Sequence, residues 1–198
     1  MIALDLFQTR RLRLLTQRLQ PLKPEIADTP ESVLTAIYGV QAQDYPAGLL
    51  SMRARSSGLT AVQVEQSRLE KHSIAWTWCL RGTLHLISAA DARWLVPFLG
   101  PRLITGDQRR LFGLGWSERS ANFAVDLLQD ALLDKGELSR SEIRQLFQEN
   151  RLPYEGQAPV HLIYRAALEG RLLRGALEGR EETYVPFEPW LGELQPLP

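Results

Sequence analysis

Two glutamines set two positions apart, Gln41 and Gln43 in the run Val40-Gln41-Ala42-Gln43-Asp44, are the residues best suited by type and spacing to act together. A primary amide offers an acceptor oxygen and a two-proton donor on a neutral group. It can read a base edge or position a water molecule without adding charge. To serve one site, both side chains must face one way. On an α-helix, positions i and i+2 diverge, whereas on extended chain they share a face. The pair therefore requires the preceding helix to end near Val40 and the chain to leave it extended. Tyr45-Pro46 supports this, because a residue before proline is pushed toward β or polyproline conformations. The competing reading is a polar helix exit with solvated glutamines.

The elements that must position this pair follow from caps and periodicity. Residues 7–19 carry Leu12, Leu15 and Leu19 at helical spacing, with Arg10, Arg11, Arg13 and Arg18 around them. Thr29-Pro30-Glu31 starts a helix through Val33, Leu34, Ile37 and Tyr38. Leu49 to Arg55 is apolar and ambiguous. Thr60 to Gln63 is a capping box for a helix reaching about Lys71. Ile74–Leu80 and Thr83–Ile87 read as strands joined at Arg81-Gly82, Ser88 to Asp91 caps a further helix, and Pro101 begins another toward Phe112. After Gly113-Leu114-Gly115 the order returns. A helix carries Phe123, Leu127, Leu128, Ala131 and Leu132 and ends at Gly136. A capping box at Ser139 opens a second helix, and Pro159 opens a third that stops at Gly170. Strands at Leu172–Arg174 and Thr183–Val185 follow. Three helices and a hairpin, twice, make a mainly α fold with short β-hairpins (α+β). The expected architecture is tandem winged-helix units, residues 1–115 and 116–198.

Composition sets the class. Hydrophobic content of 44% and charged content of 23% over 198 residues are those of a globular chain with a real core. The single cysteine, Cys79, excludes an internal disulfide framework. No apolar run reaches the roughly 20 residues of a membrane span. The first residues lack the pattern of a signal peptide, so a cytoplasmic chain is expected. Zero net charge hides a division: residues 1–115 hold 14 Lys+Arg against 9 Asp+Glu, and residues 116–198 hold 9 against 14. All but three of the 23 basic residues are arginine, whose planar fork suits phosphate and guanine edges. A GC-rich genome produces the same bias.

Other residues carry weaker signals. In the first unit the third helix offers Gln63, Gln66, Arg68 and Lys71, and Arg53, Arg55 and Arg81 complete a candidate DNA-binding set. In the second unit His161, Arg165 and Glu169, with Arg180 in the hairpin loop, occupy the matching places, but the surrounding acidic residues favour a packing role. His85 and Trp78 are possible supporting residues of the glutamine site. A hydrogen-bonded structural histidine and a core tryptophan are the competing readings. Asp44 could add charge near the site, yet at i+1 from Gln43 it points away on extended chain. Cys79 reads as a small buried hydrophobe. His72, His85 and His161 lack ligand spacing, so no metal is expected. No Gly-rich phosphate loop or Gly-x-Ser-x-Gly elbow points to a nucleotide cofactor or a serine hydrolase.

The pairing of Val40-Gln41-Ala42-Gln43-Asp44 with Trp76-Thr77-Trp78-Cys79-Leu80-Arg81-Gly82-Thr83-Leu84-His85-Leu86 resembles the AlkZ-like (YcaQ-type) winged-helix DNA glycosylases, from about residue 8 to about 190. The resemblance implies tandem winged helices forming a concave surface for duplex DNA. It implies Gln41 and Gln43 as the catalytic pair, and removal of N7-alkylated purines or unhooking of interstrand crosslinks, without a cofactor. The chain departs from the family in its short length and in Ala42, smaller than the aliphatic residue usual at the motif's centre.

The chemistry is consistent with such a pair. Alkylation at N7 makes a purine cationic and a willing leaving group, so positioning a water and stabilising a cationic sugar remain. Positioning and general-base effects supply about 10²–10⁴-fold, enough only for an already activated lesion. The expectation is a monofunctional glycosylase of alkylation repair acting on double-stranded DNA. The alternative is a non-catalytic winged-helix DNA-binding protein, either a transcription regulator or a truncated homologue.

Overall fold

The computed structural model describes residues 4–20, 28–179 and 181–196. Helix α1 (Leu6–Thr16) is capped by Asp5 and buries none of its residues. Helix α2 (Pro30–Ile37) starts on the Thr29 cap and ends sharply, with Tyr38 at φ 57° as its left-handed cap. Gly39 follows at φ 119°, where a side chain would collide with Ile87 and the Leu86 carbonyl. This double reversal turns the chain into strand β1 (Val40–Gln41), so the helix ends three residues before Val40. Helix α3 (Tyr45–Ala54), capped by Asp44, resolves the ambiguous stretch as helical, with Pro46 in its first turn. Helix α4 (Ala61–Leu69), strand β2 (Ile74–Trp78), a 3₁₀ turn at Leu80–Gly82 and strand β3 (Leu84–Ser88) complete the first half.

Helix α5 (Ala89–Gly113) runs unbroken, which corrects the expectation that Pro101 begins a new helix. Proline inside a helix removes one hydrogen bond and crowds the carbonyl four residues back, a cost of about 3 kcal/mol. Here the carbonyl of Arg93, deprived of a partner by Pro97, accepts the N–H of Gln195 at 2.8 Å. Pro101 falls four residues later, on the same face. Burial of Ala92, Leu95, Val96 and Gly100 holds the helix together across both.

The second half repeats the order: α6 (Glu118–Lys135), β4 (Leu138–Ser139), α7 (Arg140–Glu149), α8 (Ala158–Leu168), β5 (Leu172–Glu178) and β6 (Glu181–Pro186), then a short α9 (Phe187–Leu191). Both strands of this hairpin exceed the expected spans. In α6 the buried stripe is Ala121, Ala124, Val125, Leu128 and Leu132, while the expected core residue Phe123 is exposed.

Each half forms a three-stranded antiparallel sheet, ordered β1-β3-β2 and β4-β6-β5. This is the element order of a helix-turn-helix with its wing. One face of the first sheet places Val40, Ala42, Leu84, Leu86, Trp76 and Trp78 in an apolar cluster that also takes in Leu128, Phe147, Leu162 and Tyr184 from the second half. The other face places Ala75, Cys79 and Ile87 against Ala92, Leu95 and Val96 of α5 and Leu173, Val185 and Phe187. Every residue of β2 and β3 is buried, and among the described residues of this sheet only Gln41, at the β1 edge, is exposed.

Candidate functional site

At that open edge lies a cleft of about 480 Å³, between β1, the C-terminal ends of α1 and α2, helix α3 and the turn after β2. Its polar lining is Gln41, His85, Arg81, Arg55, Ser51 and Gln17, with Ile37, Gly39, Val40 and Leu80 forming the apolar part. Its size falls in the range of small-molecule sites.

The glutamine run enters this site extended. Val40 pairs with Leu86 and Gln41 with His85, and the Ala42 N–H continues the ladder to the Leu84 carbonyl at 2.8 Å. Burial alternates accordingly: Val40 and Ala42 are buried, Gln41 and Gln43 exposed. Gln41 belongs to β1 and lines the cleft, whereas Gln43 stands in the bend before α3 and is not part of that lining, so the extended alternation the sequence predicts runs only through Ala42. Gln43 Oε1 accepts the Leu84 N–H at 3.2 Å, and among the described residues its amide protons have no partner. Gln41 Oε1 accepts from Arg81 Nη2 at 3.3 Å. Ala42 is small because Gly48 of α3 packs on it: a Cβ on Gly48 would stand 2.8 Å from the Ala42 Cβ. The Ala42 carbonyl accepts the Trp76 indole N–H at 3.0 Å, so the centre of the motif is fixed from both sides. Asp44 points elsewhere, accepting the Ala47 N–H at 2.9 Å as the cap of α3.

His85 sits at the boundary between the open edge and the covered interior of the sheet. It is 3% exposed, yet lines the cleft. Its Nδ1 lies 2.8 Å from the Thr83 carbonyl, which places the ring proton there. Burial pulls its pKa below the usual imidazole value, the Thr83 hydrogen bond opposes the shift, and Arg81 adds to it. Arg81 itself stands at the turn with φ 57°, exposed.

Several expected site residues lie elsewhere. Arg68 is 1% exposed and cannot meet a phosphate, which corrects its place in the DNA-binding set. Its Nε donates to the Tyr45 hydroxyl at 3.1 Å, Nη1 to the Gly175 carbonyl of β5 at 2.5 Å and Nη2 to Glu65 at 2.8 Å. It also stacks over Tyr45 and Trp76. Arg68 thus ties the first half to the second. Trp78 is 6% exposed, beneath Arg174 and edge-on to Tyr164, so it packs rather than lining the cleft. Arg53 and Lys71 are exposed but do not line the cleft, whereas Arg55 does. In α4, Gln63 caps its own helix through Thr60, and Gln66 is exposed. On α8, His161 bonds Asp107 of α5 at 2.8 Å, and Arg165 bonds Glu169, Glu118 and Asn122, so that helix face is packed internally. Arg180 lies outside the described residues. Cys79 is fully buried, its thiol pushed up to about 11 by burial. Ser51 and Gln17 are site residues that sequence reasoning passed over. Neither has a motif, and only the packing of α3 and α1 brings them to the glutamines.

Residues 34–198 match the family model described as DNA glycosylase AlkZ-like. The chain belongs to this AlkZ-like family. The match begins in α2, just before the glutamine run, and covers both sheets. Among solved structures, the Streptomyces sahachiroi DNA glycosylase AlkZ superposes with a TM-score of 0.74 at 21% identity, covering 91% of this chain and 48% of that one. At that identity the likeness establishes a shared fold, and the chain spans about half the length of this AlkZ-like structure. No curated protein matches the chain.

Proposed function

We propose that this AlkZ-like chain is a DNA glycosylase that hydrolyses the N-glycosidic bond of N7-alkylated purines in duplex DNA, including purines held in interstrand crosslinks. The observation that carries the reading is the exposed pair Gln41 and Gln43, with Gln41 lining a polar cleft directly opposite His85. Membership of the family supports DNA as the partner, and the positive first half supports backbone contact through Arg55, Arg81, Arg53 and Lys71.

In the free protein, Arg81 holds the Gln41 oxygen. A phosphate is a stronger acceptor for a guanidinium than an amide is. Arrival of the backbone therefore draws Arg81 away and frees the Gln41 oxygen to orient a water at the anomeric carbon. Gln43 keeps its oxygen on the Leu84 N–H and presents its amide protons to the lesion or its sugar. The described cleft lining contains no carboxylate. Two arginines there disfavour an isolated cation, so the flanking phosphates must offset them. The cleft lies open at the β1 edge, which suits a crosslinked base unable to swing out fully.

The test is single-turnover base release from a duplex carrying one N7-methylguanine, scored as alkali-labile strand cleavage, beside the Gln41→Ala/Gln43→Ala variant. The expected result is a loss of about 10²-fold or more, with duplex affinity retained. Salt-sensitive binding without any cleavage by the parent chain would instead identify a non-catalytic DNA-binding module.

A further inference from the structure

Hydrolysis of a glycosidic bond releases a proton from the attacking water, and neither glutamine can take it, because an amide is not a base near neutral pH. The lining of the cleft narrows the acceptor. Among the described residues it includes two arginines, two glutamines, a serine and a histidine, and no aspartate or glutamate. Asp44, the acid nearest in sequence, is committed as the cap of α3. Resting on the base-excision reading above, we propose that His85 is the proton acceptor of the site, its Nε2 taking the proton of the water that Gln41 orients.

Three features place it there. Gln41 and His85 are directly opposed in the β1–β3 ladder, so their side chains leave the sheet on the same face. Both line the same cleft. The Nδ1 of His85 is held by the Thr83 carbonyl at 2.8 Å, which keeps the proton on Nδ1 and makes Nε2 the basic nitrogen. No partner for Nε2 occurs among the described residues. The second half has no counterpart: Ser139 pairs with Thr183 where Gln41 pairs with His85, and neither is a base.

The step balances without a further reactant. The water oxygen bonds to the anomeric carbon as the bond from that carbon to purine N9 breaks. The bonding pair passes to the purine and cancels the charge that N7-alkylation put there. The water's proton goes to His85 Nε2 and then to solvent. Beside the imidazole stand Thr77 of β2 and Gln41 of β1, its partners in the two ladders, and the charge that acts on it is Arg81 of the turn; Arg55, Ser51, Gln17 and Ile37 complete the lining of the same cleft. The charges among them are positive and oppose protonation of the ring. The unprotonated form therefore persists at neutral pH and is lost in acid.

His85→Asn keeps a donor where Nδ1 stands and removes the acceptor at Nε2, whereas His85→Gln restores an acceptor oxygen near the Nε2 position but cannot titrate. Single-turnover cleavage of the N7-methylguanine duplex, corrected for spontaneous depurination, is followed against pH for all three proteins. For the parent chain, the rate is expected to fall as pH drops below the ordinary imidazole value of 6.5. His85→Asn is expected to lose about 10²-fold or more at neutral pH, with unchanged duplex affinity, and His85→Gln to recover part of the rate with no acid limb. A purely structural histidine would leave that limb in place in both variants. The proposal is overturned if the parent chain has no acid limb, a result that does not depend on either variant folding. It is overturned equally if His85→Asn cleaves within about threefold of the parent with the limb intact. A parent chain that binds duplex but never cleaves overturns this inference together with the glycosylase reading, while cleavage that needs Gln41 and Gln43 but not His85 overturns this inference alone.

Discussion

The two halves of the molecule share one topology and differ at one join. In the first half, three residues, Ala42-Gln43-Asp44, separate the end of β1 from helix α3, and Asp44 is the cap. In the second, the last strand residue, Ser139, is itself the cap of α7. The longer join gives Gln43 a place beside Gln41. The third helices differ too. α8 presses its polar face onto α5 and α6 through His161–Asp107 and Arg165–Glu118, while α4 leaves Gln66 and the following Lys71 outside. The half with the longer connection carries the cleft proposed as the site. Its twin, with a short connection and satisfied ion pairs, becomes the support.

The most disruptive way to break the comparison is to disconnect the halves. Arg68→Met leaves the Gly175 carbonyl and the Tyr45 hydroxyl without their donor and Glu65 without its cation. Losing one partner of a buried charge network costs about 3–5 kcal/mol, to be read as a lower urea midpoint. Because Arg68 is buried, the salt dependence of duplex binding should keep its slope, and a slope reduced by about one would restore Arg68 as a phosphate ligand. Next in size is Gly100→Ala. Its Cβ would lie 2.2 Å from the Leu168 carbonyl, so α5 and α8 must part. Overpacking of this kind costs about 1–3 kcal/mol. Under the proposed division of labour, thermal unfolding should register the change, and DNA affinity at a temperature where the protein is folded should not.

A matched pair of cap removals sharpens the comparison. Asp44→Ala and Ser139→Ala each delete one helix cap, and each should cost about 1 kcal/mol. Only Asp44→Ala is expected to slow base release as well, because that cap orients the stretch holding Gln43. Equal rates for the two variants would show that the join is not functional. The smallest effect concerns acid. Burial raises the Glu31 carboxyl, but hydrogen bonds from Ser73, its own backbone N–H, Ser67 and Thr29 outweigh it and hold its pKa below the usual 4.5. A group held low when folded stabilises above its unfolded value, and that contribution is lost as pH falls below about 4.5. Glu31→Gln should flatten the acid limb of stability, visible as a shallower fall in unfolding temperature between about pH 5 and 3.

The helices were legible where their caps were. Thr29, Thr60, Ser88 and Ser139 each accept an N–H three residues on, a local interaction that four or five residues specify. The helix α5 runs through Pro101, against the sequence expectation, because burial of Ala92, Leu95, Val96 and Gly100 holds it together and the Gln195 N–H, about a hundred residues away, takes the Arg93 carbonyl that Pro97 frees. Arg68 was misread for the same reason. On its helix it is an exposed-type residue, and its cover comes from Tyr45 and Trp76 of the first half and from β5 of the second.

The sequence by itself determined that Gln41 and Gln43 leave the helix and stand exposed, since Tyr38-Gly39 ends the helix locally and the chain then runs extended through Val40 and Gln41. It also determined the repeated element order, through caps, periodicity and glycines at chain reversals. Tertiary structure alone decided what surrounds the pair: that His85 faces Gln41 in register, that Arg55, Ser51 and Gln17 close the cleft, and that Arg68 leaves the surface. Those outcomes depend on contacts between segments tens of residues apart, and nothing in the local chain encodes which partner will arrive.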